Sequence, residues 1–382
     1  MIGFETSEFQ TRVARAQNHM EAANLDALLL TTEPEVRYFT GYLTRFWESP
    51  TRPWFVILPA TSAPIAVIPS IGAPLMSQTW LQDIRTWRSP DYSDDGIGLL
   101  ADALGEIVPK GGRIGVPSGP ETHLRLPLDS WVDLRKRMET IGFTDDAGIV
   151  RRLRLIKSEA EIKKTAAACA VADSAFARVP EIACEGTPLA QVFRAFQMLC
   201  LEEGADWVSY LAGGAGPGGY GDIIAPATDA PLEAGDVLML DTGVVRDGYF
   251  SDFDRNWSVG QPSNSTKDIY AKLLDASDAG FEAARPGATA ADLFHAMDGV
   301  LTGGAGGSDA GRYGHGLGMQ LTEWPSLIPD DHTVLEPGMV LTLEPGLTNS
   351  TGHTLVHEEN IVITNSRARY LSTPAPRAMP VI

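Results

Sequence analysis

The segment Asp236–Trp257 constrains the fold more than any other part of this sequence. Two runs of strand-forming residues flank Arg246-Asp247-Gly248, which predicts an antiparallel hairpin. Asp241 and Asp252 lie on opposite arms, and their numbers sum to an odd value, so a two- or four-residue loop places both carboxylates on one face. Asp254 shares that face. Because three adjacent acids repel one another unless a cation neutralises them, the hairpin predicts a metal site; the alternative is a polar face exposed to solvent.

Charge and cysteine content exclude several classes of function. The 382 residues carry a formal net charge of −19, which argues against binding to nucleic acid or to an anionic membrane, because both require basic patches. Three cysteines without Cys-x-x-Cys spacing are expected to be buried thiols in a reducing compartment. The sequence shows no signal-peptide pattern and no apolar run long enough to span a membrane, so we expect a cytoplasmic protein.

Residues 1–155 alternate helical and strand patterns, which predicts an α/β domain. The predicted elements are helices over Ser7–Ala23 and Ile97–Val108 and strands over Ala27–Thr31, Trp54–Leu58, Ile65–Ile68 and Arg113–Val116. The aromatic segment Arg37–Trp54 is predicted to be a substrate-facing loop, with Trp47 as an apolar wall and Arg52 as a cation. The alternative is that its aromatic side chains pack beneath the loop.

A second domain, residues 156–382, is predicted to begin after the basic run Arg151–Lys157. Its first helix opens at a capping box formed by Ser158 and Glu161. Its next predicted elements are the body of that helix toward Arg178, a helix over Pro188–Glu203 and a glycine-rich loop over Gly213–Gly221. The loop is not expected to bind phosphate, because no Gly-Lys-Ser/Thr follows it and no helix begins there.

Three further motifs supply acids and a histidine of the types that ligate metals. They are Gly314-His315-Gly, the strand end at Glu344 and the strand start at Glu358. A single histidine is more often structural, but glycine on both sides of His315 allows the backbone to approach a metal closely. With Asp241 and Asp252 these residues form an oxygen-rich set with one nitrogen, which suits two ions of Mn, Fe(II), Co or Zn.

These motifs resemble the metal-ligand signatures of the pita-bread metallopeptidases, peptidase family M24, which include prolidase, aminopeptidase P and methionine aminopeptidase. The motifs are Asp241-Thr-Gly, Gly248-Tyr-Phe-Ser-Asp252, Gly314-His315-Gly-Leu-Gly, Leu343-Glu344-Pro-Gly and Glu358 ahead of Ile-Val-Ile-Thr. Arg37-Tyr-Phe-Thr-Gly-Tyr extends the resemblance more loosely to the creatinase/prolidase N-terminal module. The resemblance implies an α/β (α+β) chain with a creatinase-type domain before a pita-bread catalytic domain.

The resemblance also implies a role for each ligand. Asp241 would bind one ion, and Asp252 and Glu358 would bridge two. His315 and Glu344 would complete the second site, and Glu344 would also accept the proton of an attacking water. Resemblance to prolidase and creatinase further implies a homodimer in which one N-terminal domain leans over the partner's active site.

Departures from the family pattern bear on the substrate. Asp254 stands where Thr or Ser is usual, and with Thr242 it is expected to support the ligands by hydrogen bonds. Its alternative roles are to order Arg255 or to contact the substrate. Thr322 precedes Glu323 where the peptidases have a His-Glu pair, and Ile224 falls near the position of a second histidine. Because these histidines grip the peptide, we expect poor turnover of Xaa-Pro dipeptides.

The candidate residues form three groups. The metal ligands are Asp241, Asp252, His315, Glu344 and Glu358, with Glu359 in place of Glu358 if that motif shifts by one residue. The catalytic candidates are Glu344, Thr322 and Glu323, and the substrate-binding candidates are Trp47, Arg52, Tyr220 and Asp254.

The function expected is that of a dinuclear-metal hydrolase of the Xaa-Pro peptidase type, acting on a small amide or a dipeptide-like substrate. One alternative is a metal-dependent C–S lyase that cleaves dimethylsulfoniopropionate-like substrates, suggested by Glu323-Trp-Pro325. A second alternative is a metal-free binding protein on the same fold, because fold alone does not determine function.

Overall fold

The computed structural model describes residues 3–49, 52–306, 311–349 and 351–382. The chain divides into two compact units, Met1–Arg154 and Leu155–Ile382. Each unit has its own apolar core.

The N-terminal unit is built on a mixed sheet with the strand order β4-β3-β2-β1-β5-β6. Its strands are β1 (Ala27–Leu30), β2 (Phe55–Pro59), β3 (Ile65–Pro69), β4 (Asp83–Trp87), β5 (Arg113–Val116) and β6 (Gly142–Asp145). Its helices are α1 (Thr6–Ala23), α2 (Glu33–Thr40), α3 (Ala73–Met76), α4 (Ile97–Ile107), α5 (Leu128–Arg137) and α6 (Ile149–Leu155), the last ending one residue past the unit boundary. Helix α1 buries Phe9, Val13, Ala16 and Met20, as the predicted helical spacing requires.

The predicted loop over Arg37–Trp54 is wrong in its first part, which continues α2. That helix begins at a capping box formed by Thr32 and Glu35, which provides hydrogen-bond acceptors for backbone amides of its first turn. It ends at Gly41, whose φ of 79° is left-handed. Pro50 and Thr51, within the same segment, lie outside the described residues.

The C-terminal unit contains the hairpin and three sheets. Its helices are α7 (Glu159–Ala177), α8 (Leu189–Glu202), α9 (Asn264–Ala283) and α10 (Ala290–Leu301). Its strands are β7 (Trp207–Pro217), β8 (Asp236–Arg246), β9 (Tyr249–Phe250), β10 (Phe253–Ser258), β11 (His315–Gly316), β12 (Glu323–Ser326), β13 (Val340–Leu343), β14 (Gly346–Thr348), β15 (Thr354–Val356), β16 (Glu359–Ile363) and β17 (Ala368–Tyr370). One sheet runs β10-β8-β7 with β9 beside β8, one runs β12-β11-β13-β16-β17, and β14 pairs with β15.

Two apolar clusters hold this unit together. Helices α7 and α8 pack near β8 and β10 through aromatic contacts in which Phe176 lies 5.0 Å from Phe196 and 5.3 Å from Phe253, measured between ring centroids. Helices α9 and α10 share a second cluster with β13, to which Leu273, Met297 and Leu343 belong. Successive residues of β8 alternate between the clusters, with Leu238 in the first and Met239 in the second, so the two clusters cover opposite faces of this strand.

The predicted capping box is confirmed, because Ser158 and Glu161 exchange reciprocal hydrogen bonds at the start of α7. The predicted loop over Gly213–Gly221 is wrong in its first half, which belongs to β7. A Cβ on Gly213 would lie 2.1 Å from the Met239 carbonyl oxygen. Glycine is therefore required there because β7 lies too close to β8 for a side chain, and this contact outweighs the low strand propensity of glycine.

Candidate metal centre

The β8–β10 hairpin places two aspartates opposite each other. Asp254 pairs directly with Asp241. The turn that precedes β9 contains Asp247 (φ 48°) and Gly248 (φ 75°), and two left-handed residues are what a type I′ turn requires. Directly paired residues of antiparallel strands project from the same face. The prediction that Asp241 and Asp254 share a face is confirmed.

Asp252 lies between β9 and β10 and is held by one side chain of the other sheet. Its backbone amide donates to Asn360 Oδ1 at 3.0 Å, and Asn360 Nδ2 donates to the Asp252 carbonyl oxygen. Asn360 belongs to β16. The Asn360 amide therefore fixes the backbone of a predicted ligand across two sheets.

His315 is positioned by its neighbours in β11 and β13. Its backbone amide donates to Thr342 Oγ1 at 3.1 Å, and its Nδ1 lies 2.9 Å from the Gly316 carbonyl oxygen. With the proton on Nδ1, this contact leaves Nε2 as the metal-binding nitrogen. Nε2 lies 3.4 Å from Asp252 Oδ2. A Cβ on Gly314 would lie 2.3 Å from the Thr342 carbonyl oxygen, so the close approach expected beside His315 is present.

Glu344 and Glu358 stand at the ends of neighbouring strands. Glu344 follows β13, and its backbone amide donates to the Tyr313 carbonyl oxygen at 2.9 Å. Glu358 precedes β16, and its backbone amide donates to Asp254 Oδ1 at 2.8 Å. Side-chain donor atoms of Asp252, His315 and Glu358 all lie within 4.8 Å of one another, and the three residues are buried. The structure therefore brings three of the five predicted ligands into one cluster.

The pKa values of the other two predicted ligands, Asp241 and Glu344, are raised together with those of the acids in this cluster. Burial, and then the charge of Glu344, raise the pKa of Asp241 to about 8. Burial raises the pKa of Glu344 to about 7. Burial followed by the charges of neighbouring acids raises the pKa values of Asp252 and Glu358 well above their usual range. Four carboxylates this close favour the neutral form because they repel one another in a poorly solvated space.

Two carboxylate oxygens of this set have no hydrogen-bond partner within the described part of the chain: Asp241 Oδ1 and Glu358 Oε1, both buried. Buried acceptors without a partner are unfavourable, and buried charges are normally paired or bound to a metal. Burial lowers the pKa of His315 to about 4, so its imidazole is neutral near pH 7 and able to ligate. The residues present therefore fit divalent cations.

Two residues at the centre were missed by sequence reasoning. Tyr210 lies on β7 opposite Gly243 of β8, and burial, followed by the charge of Asp241, raises its pKa; recognising β7 as a strand beside β8 could have indicated it. Arg312 lies three residues before His315, and its charge acts on Asp252 and Glu344. No sequence pattern marks Arg312 beyond its place near the Gly-His-Gly motif.

A second polar network lies behind the ligands and involves the residues next to Glu358. The carboxylate of Glu359 lies 3.0 Å from the Arg255 guanidinium and 3.3 Å from His357 Nε2. Burial raises the pKa of Glu359, but Arg255 and His357 outweigh burial and lower that pKa to about 2. Glu359 is therefore occupied away from the cluster, which favours Glu358 as the ligand. His357 Nδ1 also lies 3.7 Å from Asp254 Oδ1.

Of the predicted catalytic residues, Glu323 is the first residue of β12 and Thr322 directly precedes it. The Glu323 carboxylate is buried, pairs with Lys157 Nζ at 3.0 Å and accepts hydrogen bonds from the backbone amides of Met319 (2.9 Å) and Gln320 (3.2 Å). These contacts give Glu323 a structural position that fixes the chain after His315. Thr322 Oγ1 accepts a hydrogen bond from Arg312 at 3.3 Å.

The remaining candidates are placed as follows. Tyr220 is buried, and its hydroxyl is bonded to the backbone of Val356; its contact with substrate stays a prediction. Thr242 Oγ1 donates to the Tyr210 carbonyl oxygen at 3.1 Å and holds β7. Ile224 is exposed, at 77% of its surface.

Trp47 and Arg52 belong to the N-terminal unit. Trp47 is buried, with its ring centroid 5.7 Å from that of Trp54, and Arg52 lies over the Phe46 ring at 4.8 Å. The indole therefore packs beneath the segment, as the alternative interpretation expected, and the substrate contacts of both residues stay predictions.

Within the described residues, none of the helices combines the length and apolar character needed to cross a bilayer.

Comparison with known proteins identifies relatives over nearly the whole chain. The model of the creatinase/prolidase N-terminal domain matches residues 12–156, and that of metallopeptidase family M24 matches residues 163–365. The probable dipeptidase PepE of Mycobacterium tuberculosis is 31% identical over 348 residues, covering 90% of this chain and 89% of the relative. The Xaa-Pro dipeptidase of Pyrococcus horikoshii is 28% identical, covering 94% of this chain and 96% of the relative.

Solved structures agree with these matches. The dipeptidase PepE of Mycobacterium ulcerans superposes with a TM-score of 0.83 at 28% identity, covering 99% of both chains. The prolidase of Pyrococcus horikoshii superposes with a TM-score of 0.82 at 26% identity, covering 97% of this chain and 100% of the prolidase. The relatives give no support to the lyase alternative. The predicted creatinase-type domain followed by a pita-bread domain is confirmed, and this hydrolase belongs to metallopeptidase family M24.

Proposed function

We propose that this chain is a dinuclear-metal dipeptidase. The observation that carries the proposal is the buried cluster of Asp252, His315 and Glu358. It is joined by one carboxylate oxygen each of Asp241 and Glu358 that has no hydrogen-bond partner among the described residues. The names of the M. tuberculosis and P. horikoshii relatives, a probable dipeptidase and an Xaa-Pro dipeptidase, support a dipeptide substrate.

Five side chains would hold the ions: Asp241, Asp252, His315, Glu344 and Glu358. Carboxylates with one imidazole suit Mn, Fe(II), Co or Zn. Divalent ions bound there would polarise the scissile carbonyl and acidify water.

The protein groups around this set have separate tasks. Glu344 lies at the end of β13, and burial raises its pKa, so its carboxylate can take a proton from water and deliver it to the leaving amine. Tyr210 stays protonated because burial raises its pKa, and its hydroxyl orients the Asp241 carboxylate. Asp254 positions Glu358 because its carboxylate accepts a hydrogen bond from the Glu358 backbone amide. Thr322 occupies the position that carries an imidazole in the peptidases, where a hydroxyl can donate a hydrogen bond but cannot carry a proton to an amine at neutral pH.

A homodimer and a cytoplasmic location complete the proposal. The three thiols, Cys169, Cys184 and Cys200, are unpaired, which supports a reducing compartment. Light scattering of the purified protein tests the dimer.

The function is tested with protein that has been stripped of metal by a chelator and reloaded separately with Mn, Fe(II), Co or Zn. Hydrolysis of Xaa-Pro dipeptides, other dipeptides and small amides is then measured. We expect at least one ion to restore dipeptide hydrolysis, with low rates for Xaa-Pro substrates because of Thr322. Equal activity in the stripped and reloaded protein would contradict the metal-dependent proposal. Turnover of Ala-Pro at the rate of a prolidase would contradict the prediction of low activity on Xaa-Pro dipeptides.

A further inference from the structure

Arg312 places a positive charge beside the acidic cluster. It lies three residues before His315, and the adjacent residue, Tyr313, accepts a hydrogen bond from the Glu344 backbone amide at 2.9 Å. Its guanidinium donates a hydrogen bond to Thr322, directly before strand β12, which pairs with strand β11 that carries His315. The guanidinium therefore lies beside the strand that carries one of the proposed ligands.

The bonding of Arg312 leaves capacity for a ligand. One terminal nitrogen donates to Thr322 Oγ1 at 3.3 Å, and across the described ranges no carboxylate lies within ion-pair distance of this guanidinium. The side chain is half-buried, which limits solvation without closing it off. Arg255 of the same unit differs, because its two terminal nitrogens are occupied by Asp254, Glu358, Glu359 and Thr373.

An arginine in this state suits one class of ligand. Its planar group carries five N–H donors and matches a carboxylate through two parallel hydrogen bonds. A guanidinium held away from bulk water binds an anion more strongly than an exposed one does. The Thr322 hydroxyl accepts from one end of the group and so fixes its plane.

We propose that Arg312 binds the free carboxylate of the substrate, and that Thr322 orients it for this task. The inference rests on the proposed function and narrows its substrate class, because C-terminal amides of dipeptides lack the carboxylate that Arg312 would bind. Thr322 then has a role of its own, because its hydroxyl oxygen accepts a hydrogen bond from the Arg312 guanidinium.

The test compares an acid with its amide. Metal-loaded wild type and the variants Arg312→Met, Arg312→Lys and Arg194→Met are assayed on Ala-Pro, Leu-Ala and their C-terminal amides. Arg194 is exposed on α8 and controls for the loss of one charge. We expect Arg312→Met to lower kcat/KM for the acids roughly 10- to 100-fold, since a hydrogen bond to a charged group is lost, and to leave the amides nearly unchanged. Arg312→Lys should lose less activity than Arg312→Met, because lysine keeps the positive charge but cannot form two parallel hydrogen bonds with a carboxylate.

A binding measurement separates this inference from the proposed function. Calorimetric titration of the metal-loaded protein with L-proline, L-alanine and their amides needs no turnover. We expect wild type to prefer each acid to its amide and Arg312→Met to lose most of that preference. This result supports the inference even if no dipeptide is hydrolysed, in which case the proposed function alone fails. An equal fall for acids and amides, or an unchanged preference in Arg312→Met, would overturn the role of Arg312.

Discussion

The buried ion pair between Lys157 and Glu323 gives a stability prediction that can be worked out from the structure. The side chains are 2% and 7% exposed, and Nζ lies 3.0 Å from Oε2. Replacing Lys157 with Met keeps most of the side-chain volume but removes a positive charge that lies against the buried Glu323 carboxylate. Removing one partner of a buried pair typically destabilises a protein by about 3–5 kcal/mol. We take the lower end, about 3 kcal/mol, because Met319 and Gln320 still donate to Glu323.

A change of that size is readily measured by thermal unfolding. Each kcal/mol lowers the Tm of a unit of 150–250 residues by about 2–4 °C, so Lys157→Met should lower the transition of the C-terminal unit by roughly 6–12 °C. The matched control is Arg377→Met, which breaks exposed pairs with Asp275 and Asp278 and should change stability by less than about 1 kcal/mol. A Lys157→Met shift no larger than that of the control would refute the reasoning.

Three further predictions concern metal, specificity and thiols. Asp252→Ala should lose most of the roughly two divalent ions expected per chain in elemental analysis, because it removes a proposed bridging ligand. Thr322→His should raise any trace of Xaa-Pro dipeptidase activity in a coupled proline assay, because an imidazole can carry a proton to the leaving amine. A disulfide-exchange reagent at pH 8 should titrate only Cys184 in the native protein: Cys169 and Cys200 are buried, and burial raises the pKa of Cys200 to about 12, so its thiol stays protonated there.

Each of these predictions has a control and a contradictory outcome. Asp268→Ala removes an exposed acid and should keep full metal; full metal in Asp252→Ala would contradict the bridging role. Thr322→Val removes the hydroxyl without adding an imidazole, and an equal rise in both variants would contradict the proton-transfer explanation. The thiol count should rise to three after unfolding, and three fast thiols in the native state would contradict the burial.

The sequence predicted the hairpin well because residue parity alone determines which side chains share a face. Predicting that Asp241 and Asp254 share a face required only that the turn be placed correctly at Gly248. The capping box at Ser158 was equally local. The β7 strand was missed because Gly213 is determined by its contact with Met239, more than 20 positions away, and glycine itself favours no regular structure. Tyr210 was missed with it, since its place beside Asp241 depends on that pairing.

Asn360 joins two sheets by holding both backbone groups of Asp252, and this has a consequence for how the centre is assembled. The clamp is made of protein atoms alone, and Asn360 is further fixed through its own amide by Ser372 Oγ at 2.9 Å. The backbone that carries Asp252 is thus held by contacts that need no ion, unlike the ligands of a zinc finger, which come together only as metal binds. We therefore expect the fold around Asp252 to persist when metal is removed by a chelator, so that ions can be removed and replaced without unfolding the chain.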